Sequence, residues 1–296
     1  MRLRMQTRIA LIGPGAVGGT VAAWLAQSPD NEVTLCARTS LDRLAIETPS
    51  GSIEAHPPVL TDPALARTMD WVLVATKTYD SASVAGWLAG LVGPYTRVAV
   101  LQNGVEHVAR FAPFVPAARI VPAVVDIPAE RGAPGCIHQR RMGTIVVPKG
   151  EHGDACIDLF AHTPIAVSAT DDFTSAAWTK LALNCAGAIS ALTLQPGGIA
   201  WRDDIAEIQR AMVRECVAVG RAEGARLDED LPDEVIAKYR AAPRDSVNSL
   251  HADRAAGRPL ELDARNGVIV RLGAKHGIAT PVNAMIVALI EAATGA

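Results

Sequence analysis

Aromatic side chains are scarce in this sequence, at 4% of 296 residues against 49% hydrophobic residues overall, so its cores must be packed largely from alanine and branched aliphatics. Cysteine is sparse and scattered. Cys36, Cys136, Cys156, Cys185 and Cys216 stand singly, odd in number and with no C-x-x-C spacing, which argues against a disulfide framework or a zinc site and fits a reduced, cytoplasmic setting. Neither sign of charge dominates: a formal charge of -3 gives no basic field for nucleic acid and no acidic tail. No apolar run approaches the roughly twenty residues of a membrane span. Arg2, Arg4 and Arg8 ahead of an apolar stretch ending in Ala-Trp-Leu-Ala imitate a secretory signal, but Gly13-Pro14-Gly15 interrupts it, and the segment reads as part of the fold.

What is present suggests two domains. Up to about residue 130, short β-rich runs (Arg8–Ile12, Glu32–Ala37, Asp70–Ala75, Arg97–Leu101, Arg119–Ile127) alternate with helical segments (Gly18–Gln27, Asp80–Leu91, Val105–Val115). That alternation predicts a parallel, doubly wound sheet. Cys136–Arg140 and Gly143–Val147 read as an antiparallel hairpin extending the sheet edge, and Ile165–Ser168 as a last strand. Phe173–Cys185, Ile205–Glu223, Pro232–Ala241, Leu260–His276 and Val282–Ala292 then carry helical periodicity. The expected fold class is α/β: a nucleotide-binding domain over residues 1–170 and an all-helical substrate and catalytic domain over residues 171–296.

The segment Arg8-Ile-Ala-Leu-Ile-Gly13-Pro-Gly15-Ala16-Val17-Gly18 is a strand, a glycine turn and a helix start, the order of a Rossmann-type dinucleotide fingerprint. Gly13 would allow the turn, Gly15 would let the backbone approach a pyrophosphate, and Gly18 would let helix and strand pack closely, with Ala16 and Val17 presenting helix N-terminal amides. Past the second strand, where an NAD-binding chain would carry an acid for the ribose hydroxyl, this chain has Arg38, which suits a 2′-phosphate; NADPH is therefore the expected cofactor. Lys77 and Asn103 follow the third and fourth strands at the same ligand-binding edge.

In the helix Ala177-Trp178-Thr179-Lys180-Leu181-Ala182-Leu183-Asn184, Lys180 and Asn184 lie one turn apart on one face. Ketone reduction needs a proton donor beside the developing alkoxide, and Lys180 suits that role if it faces a ligand rather than solvent. Glu261, in what reads as the first turn of a helix, is the complementary candidate for a substrate hydroxyl. The seven histidines show no metal-ligand spacing and read as surface or hydrogen-bonded residues.

Gly13-Pro-Gly-Ala-Val-Gly18, Arg38, Ala75-Thr-Lys77, Gln102-Asn-Gly104, Trp178-Thr-Lys180-Leu-Ala-Leu-Asn184, Ser249 and Ala256-Gly-Arg-Pro-Leu-Glu261-Leu-Asp-Ala-Arg-Asn266-Gly267 together resemble the ketopantoate reductase family, nearly end to end. The resemblance implies NADPH-dependent reduction of 2-dehydropantoate, or a related 2-oxo acid, in the pathway to coenzyme A. It makes Lys180 the general acid, has Glu261 hold the substrate hydroxyl, assigns substrate binding to Asn184 and Ser249, and has Asn103 keep nicotinamide and substrate in register. Arg38, Lys77 and Glu261 also fall on cofactor-contact positions. One departure is Ala188, where family members usually carry a second asparagine; Ser190 is its nearest stand-in. A small-molecule substrate and no metal are expected, and a homodimer is compatible with the reading. The rivals are a β-hydroxyacid dehydrogenase, which shares the two-domain plan and a K-x-x-x-N helix, and a non-catalytic NADPH sensor. The Glu261 segment argues against the first, and retention of Lys180 and Glu261 against the second.

Overall fold

The computed structural model describes residues 6–295, so Arg2 and Arg4 of the signal-like pattern lie outside the described residues. The chain divides into two compact units. The first runs through Gln102 and resumes from Glu106 to Phe173; the second comprises Asn103–Val105 and the described chain from Thr174 onward.

The first unit contains, in order, β1 (Thr7–Ile12), α1 (Ala16–Leu25), β2 (Asn31–Cys36), β3 (Leu44–Thr48), β4 (Gly51–Ala55), β5 (Val59–Leu60), β6 (Trp71–Val74), α2 (Ser81–Leu91), β7 (Arg97–Val100), α3 (His107–Phe111), β8 (Ile120–Pro122), β9 (Val124–Asp126), β10 (Ala129–Arg131), β11 (Cys136–Gln139), β12 (Thr144–Pro148), α4 (Glu151–Phe160) and β13 (Ala166–Thr170). Six strands form a wholly parallel sheet in the order β5-β2-β1-β6-β7-β8. Both faces are covered, as a parallel sheet requires. Ile9 and Leu11 of β1 enter a core with α1, whereas Ala10 and Ile12 enter the opposite core with Val84, Trp87, Leu88 and Leu91 of α2. Strand order reverses between β1 and β6, the point at which such sheets bind ligands.

Two smaller sheets depart from the expected strand plan. β11 pairs antiparallel with β10 on one edge and parallel with β3 on the other, so neither edge is left for β12, which instead pairs with β9 and β13. The expected hairpin is therefore absent. The single strand expected over Arg119–Ile127 is also two: β8 ends at Pro122, which has no N–H to continue a ladder, and β9 joins another sheet.

The second unit is helical, with α5 (Phe173–Ala186), α6 (Ala188–Thr193), α7 (Asp203–Ala222), α8 (Leu231–Ala241), α9 (Ser249–Ala255), α10 (Val268–His276) and α11 (Pro281–Thr294). Its core joins Trp178, Leu181 and Ala182 of α5 to Met212, Val213 and Cys216 of α7 and Ile286 and Ile290 of α11, with Val105 packed against it. A π-helical turn, Asp263–Gly267, precedes α10, so Glu261 lies two residues ahead of its helix rather than in the first turn. Among the described residues no helix is long and apolar enough to cross a membrane.

The glycine turn after β1 can be tested sterically. Gly13 has φ +86°, a conformation that disfavours side chains, and a Cβ there would lie 2.8 Å from Thr76 Cγ2 and 2.9 Å from its backbone nitrogen. At Gly18 a Cβ would stand 2.3 Å from the Gly13 carbonyl oxygen, whereas at Gly15 it would meet nothing within 4 Å. Gly18→Ala should therefore lower unfolding stability by about 1–3 kcal/mol, the usual cost of overpacking, while Gly15→Ala leaves it nearly unchanged; urea unfolding of the two variants checks this.

Candidate active site

The first unit offers a site at the reversal between β1 and β6. The Gly13 amide donates to the Cys36 carbonyl at 3.1 Å and the Ala75 amide to the Ile12 carbonyl at 2.9 Å, which pins the loops beyond β1, β2 and β6 at one end of the sheet. The N-terminus of α1 carries neither a side-chain cap nor an acid in its first turn. With open space over Gly15, its first amides around Ala16, Val17 and Gly18 suit an anion, so the chain fits a dinucleotide pyrophosphate. Arg38, 90% exposed, lies just past β2, with Nη2 3.9 Å from Asp80 Oδ2. Lys77, half-buried, follows β6 and leads a 3₁₀ turn.

Gln102 organises this edge, a role composition did not reveal. It is buried, and its Nε2 donates to Thr76 Oγ1 at 3.0 Å, to the Lys77 carbonyl at 3.3 Å and to Ser81 Oγ at 3.2 Å. Arg110 Nη1 donates to Gln102 Oε1 at 3.1 Å and His107 Nε2 to the Gln102 carbonyl at 2.8 Å.

Asn103, the next residue, belongs to the second unit. Its Nδ2 donates to Glu261 Oε2 at 3.3 Å, and its Oδ1 accepts from Asn184 Nδ2 at 3.5 Å. Both bonds are long, as hydrogen bonds of a catalytic site often are before a ligand tightens them. Three of the expected site residues thus meet: Asn103, Asn184 and buried Glu261. Lys180 is half-buried one turn before Asn184 on α5. Ser249 is exposed at the start of α9, and its neighbour Asn248 donates to the Gly187 carbonyl at 3.0 Å.

That last bond is one of a series at the α5–α6 junction. Tyr239 Oη donates to the Leu183 carbonyl at 2.9 Å, Arg265 Nη2 to that of Asn184 at 3.0 Å, Asn266 Nδ2 to that of Cys185 at 3.2 Å and Gln209 Nε2 to that of Ala186 at 3.1 Å. At Gly187 a Cβ would lie 2.6 Å from Tyr239 Oη and 3.0 Å from Asn248 Nδ2, so a side chain there would push against two of these donors. Ala188 is fully buried, and Ser190 Oγ is buried with no hydrogen-bond partner among the described residues.

The comparisons with known proteins bear on both units. The family model described as ketopantoate reductase PanE/ApbA matches residues 9–152, and its C-terminal counterpart matches residues 172–294. The chain belongs to the ketopantoate reductase family. A family relative named 2-dehydropantoate 2-reductase, from Caulobacter vibrioides, is 65% identical over 287 residues, covering 97% of this chain and 99% of the relative. The crystal structure of a PanE/ApbA family ketopantoate reductase from Ralstonia eutropha JMP134 superposes with a TM-score of 0.90 at 32% identity, covering 98% of this chain and 99% of that one. A D-mandelate dehydrogenase solved with NADH and anilino(oxo)acetate has the same fold, with a TM-score of 0.89 at 22% identity and coverage of 98% and 99%.

His107 couples this site to pH. It is fully buried, and burial, aided by Arg110 and opposed by the bond to the Gln102 carbonyl, pushes its pKa down from 6.5 to about 4. The carbonyl can only accept, so Nε2 carries the proton, and Nδ1 is left buried without a partner among the described residues. The unfolded chain protonates near pH 6.5 and the folded chain only near pH 4, so between these values the unfolded state binds more protons. Its contribution is complete above pH 6.5 and should fall by about 3 kcal/mol on acidification to pH 4. Urea unfolding across that range should show the loss, and His107→Gln should flatten it.

Proposed function

We propose that this chain is an NADPH-dependent reductase of 2-dehydropantoate, an oxidoreductase in which the first unit binds the dinucleotide and the second binds the substrate and supplies the proton. The observation that supports it most is the chain of hydrogen bonds Asn184–Asn103–Glu261, with Lys180 one turn before Asn184 on the same helix. Gly13, Gly15, Ala16, Val17 and Gly18 would hold the pyrophosphate, Arg38 the 2′-phosphate and Lys77 a further part of the dinucleotide. The Arg38–Asp80 pair at 3.9 Å is exposed on the Arg38 side and contributes little, so a phosphate can take over the guanidinium.

When bound, NADPH supplies the hydride that adds to C2 of the oxo acid. As the C2 carbonyl π-bond breaks, its electron pair passes to the oxygen, and Lys180 Nζ stabilises that alkoxide by charge and donates the proton that completes the alcohol. Lys180 is then reprotonated from solvent. Glu261, an acceptor when ionised, takes the hydrogen bond of the substrate hydroxyl. Asn103 bridges Glu261 and Asn184 and keeps substrate and nicotinamide in register, while Asn184 and Ser249 donate to the substrate. The five cysteines are free thiols, which fits a reducing compartment such as the cytoplasm.

An NADPH-oxidation assay over 2-dehydropantoate and other 2-oxo acids tests this. Lys180→Ala should lower kcat by about two to four powers of ten, and Glu261→Ala should chiefly raise KM for 2-dehydropantoate. Turnover of another oxo acid but not of 2-dehydropantoate would replace the substrate; tight NADPH binding with no turnover would favour a sensor. Arg38→Ala should raise KM for NADPH at least about tenfold and leave that for NADH almost unchanged. A preference for NADH that survives this substitution would overturn the NADPH assignment.

A further inference from the structure

Arg265 is an arginine where the sequence pattern gives no reason for one. It is 2% exposed, within the π-helical turn Asp263–Gly267, and Ala264, Arg265 and Asn266 are all buried in succession. The turn is pinned at one atom: the Leu262 carbonyl accepts the amides of Arg265, Asn266 and Gly267 at 3.2, 3.0 and 3.0 Å. Glu261 is the residue just ahead of that carbonyl. Arg265 Nη2 donates to the Asn184 carbonyl at 3.0 Å, while its Nε is buried without a partner among the described residues. Burial lowers its pKa, opposed by Tyr239, Glu261, Cys185 and Asp253. A guanidinium does not lose its proton in a protein, so a full positive charge stands buried in this unit, with Glu261 among the groups whose field favours it.

These contacts close a ring. From Arg265 one route leads through the Asn184 carbonyl to the Asn184 amide, then to Asn103 and Glu261; the other leads along the backbone through Leu262 to the same Glu261. We propose that Arg265 is a positioning residue for substrate-hydroxyl recognition: it fixes Asn184 and Glu261 relative to each other, so that a 2-oxo acid bearing a hydroxyl is selected over one without it. This rests on the reading of Glu261 as the acceptor of the substrate hydroxyl. Lys180 lies a full turn from the anchored carbonyl, within the continuous part of α5, so the proton-transfer step should be affected far less than binding.

The test compares 2-dehydropantoate with 3,3-dimethyl-2-oxobutanoate, the same oxo acid without its hydroxyl, in the full-length protein. The wild type should favour the hydroxylated substrate in kcat/KM. Arg265→Gln should raise KM for 2-dehydropantoate by about ten- to a hundredfold, keep kcat within about threefold and leave kcat/KM for the deoxy acid unchanged. Arg265→Lys, which retains the buried charge, should recover part of the preference and covers the case in which Arg265→Gln does not fold. Millimolar guanidinium, far below denaturing levels, should lower the raised KM of Arg265→Ala. Equal losses on both substrates, or a lowered Tm with unchanged kinetics, would overturn the role of Arg265 while leaving the reductase reading intact. A wild type that treats the two acids alike would overturn hydroxyl recognition and this role with it; one that reduces neither would overturn the reductase reading and, as a consequence, this inference.

Discussion

Five consecutive backbone carbonyls, Leu183 to Gly187, each accept a hydrogen bond from a side chain, and the polar site of the helical unit depends on that arrangement. A helix end leaves its last carbonyls without intrahelical donors, and in a core without water each orphan costs on the order of 1–3 kcal/mol. Here the donors come from α7, α8, the residue before α9 and the π-helical turn, so one break in a helix is satisfied by four separate parts of the chain. The cost of the break becomes a constraint: these segments must meet at Gly187, and in meeting they fix the helix that carries Lys180 and Asn184.

The same logic operates at the sheet edge of the first unit. The Gln102 amide nitrogen donates to the loop after β6 while its Oε1 accepts from Arg110 and its carbonyl from His107, so the C-terminal ends of β6 and β7 are held by buried polar contacts. Both sites combine a glycine at a close approach with a polar residue that locks the neighbouring segment. The glycines let chain segments approach closely; the amide side chains decide where they stop.

The parallel sheet was legible because strands buried on both faces read as continuous apolar runs, and β1, β6 and β7 do so over Ile9–Ile12, Trp71–Val74 and Val98–Val100. β3 and β4 did not, since Gly51, Ser52 and Glu54 of β4 are exposed and its alternation spans five residues only. The hairpin expected from β11 and β12 failed because β11 pairs instead with β10, just before it, and on its other edge with β3, so distant in sequence that the pairing leaves no local signal. In the site, residue types and order alone gave the glycine turn and made Lys180 and Glu261 candidates, whereas the link between them and the role expected of Asn184 came from resemblance. Arg265 stands inside the segment that carries the resemblance, yet neither route gave it a role. An arginine in a run of charged and polar residues reads as a solvent-facing side chain, and its burial beside Ala264 and Asn266 follows from packing that the sequence does not show.

The three residues Asn103–Val105 leave the first unit and return to it at Glu106. A nascent chain is made from its N-terminus, so Asn103 emerges from the ribosome long before Asn184 and Glu261, the groups that it bridges. The early part of the chain can complete its sheet without them, but this asparagine must wait for more than half of the polypeptide still to come. The Asn184–Asn103–Glu261 bridge therefore closes only once Glu261 has been made, and a chain that stops earlier leaves the Asn103 amide without that carboxylate.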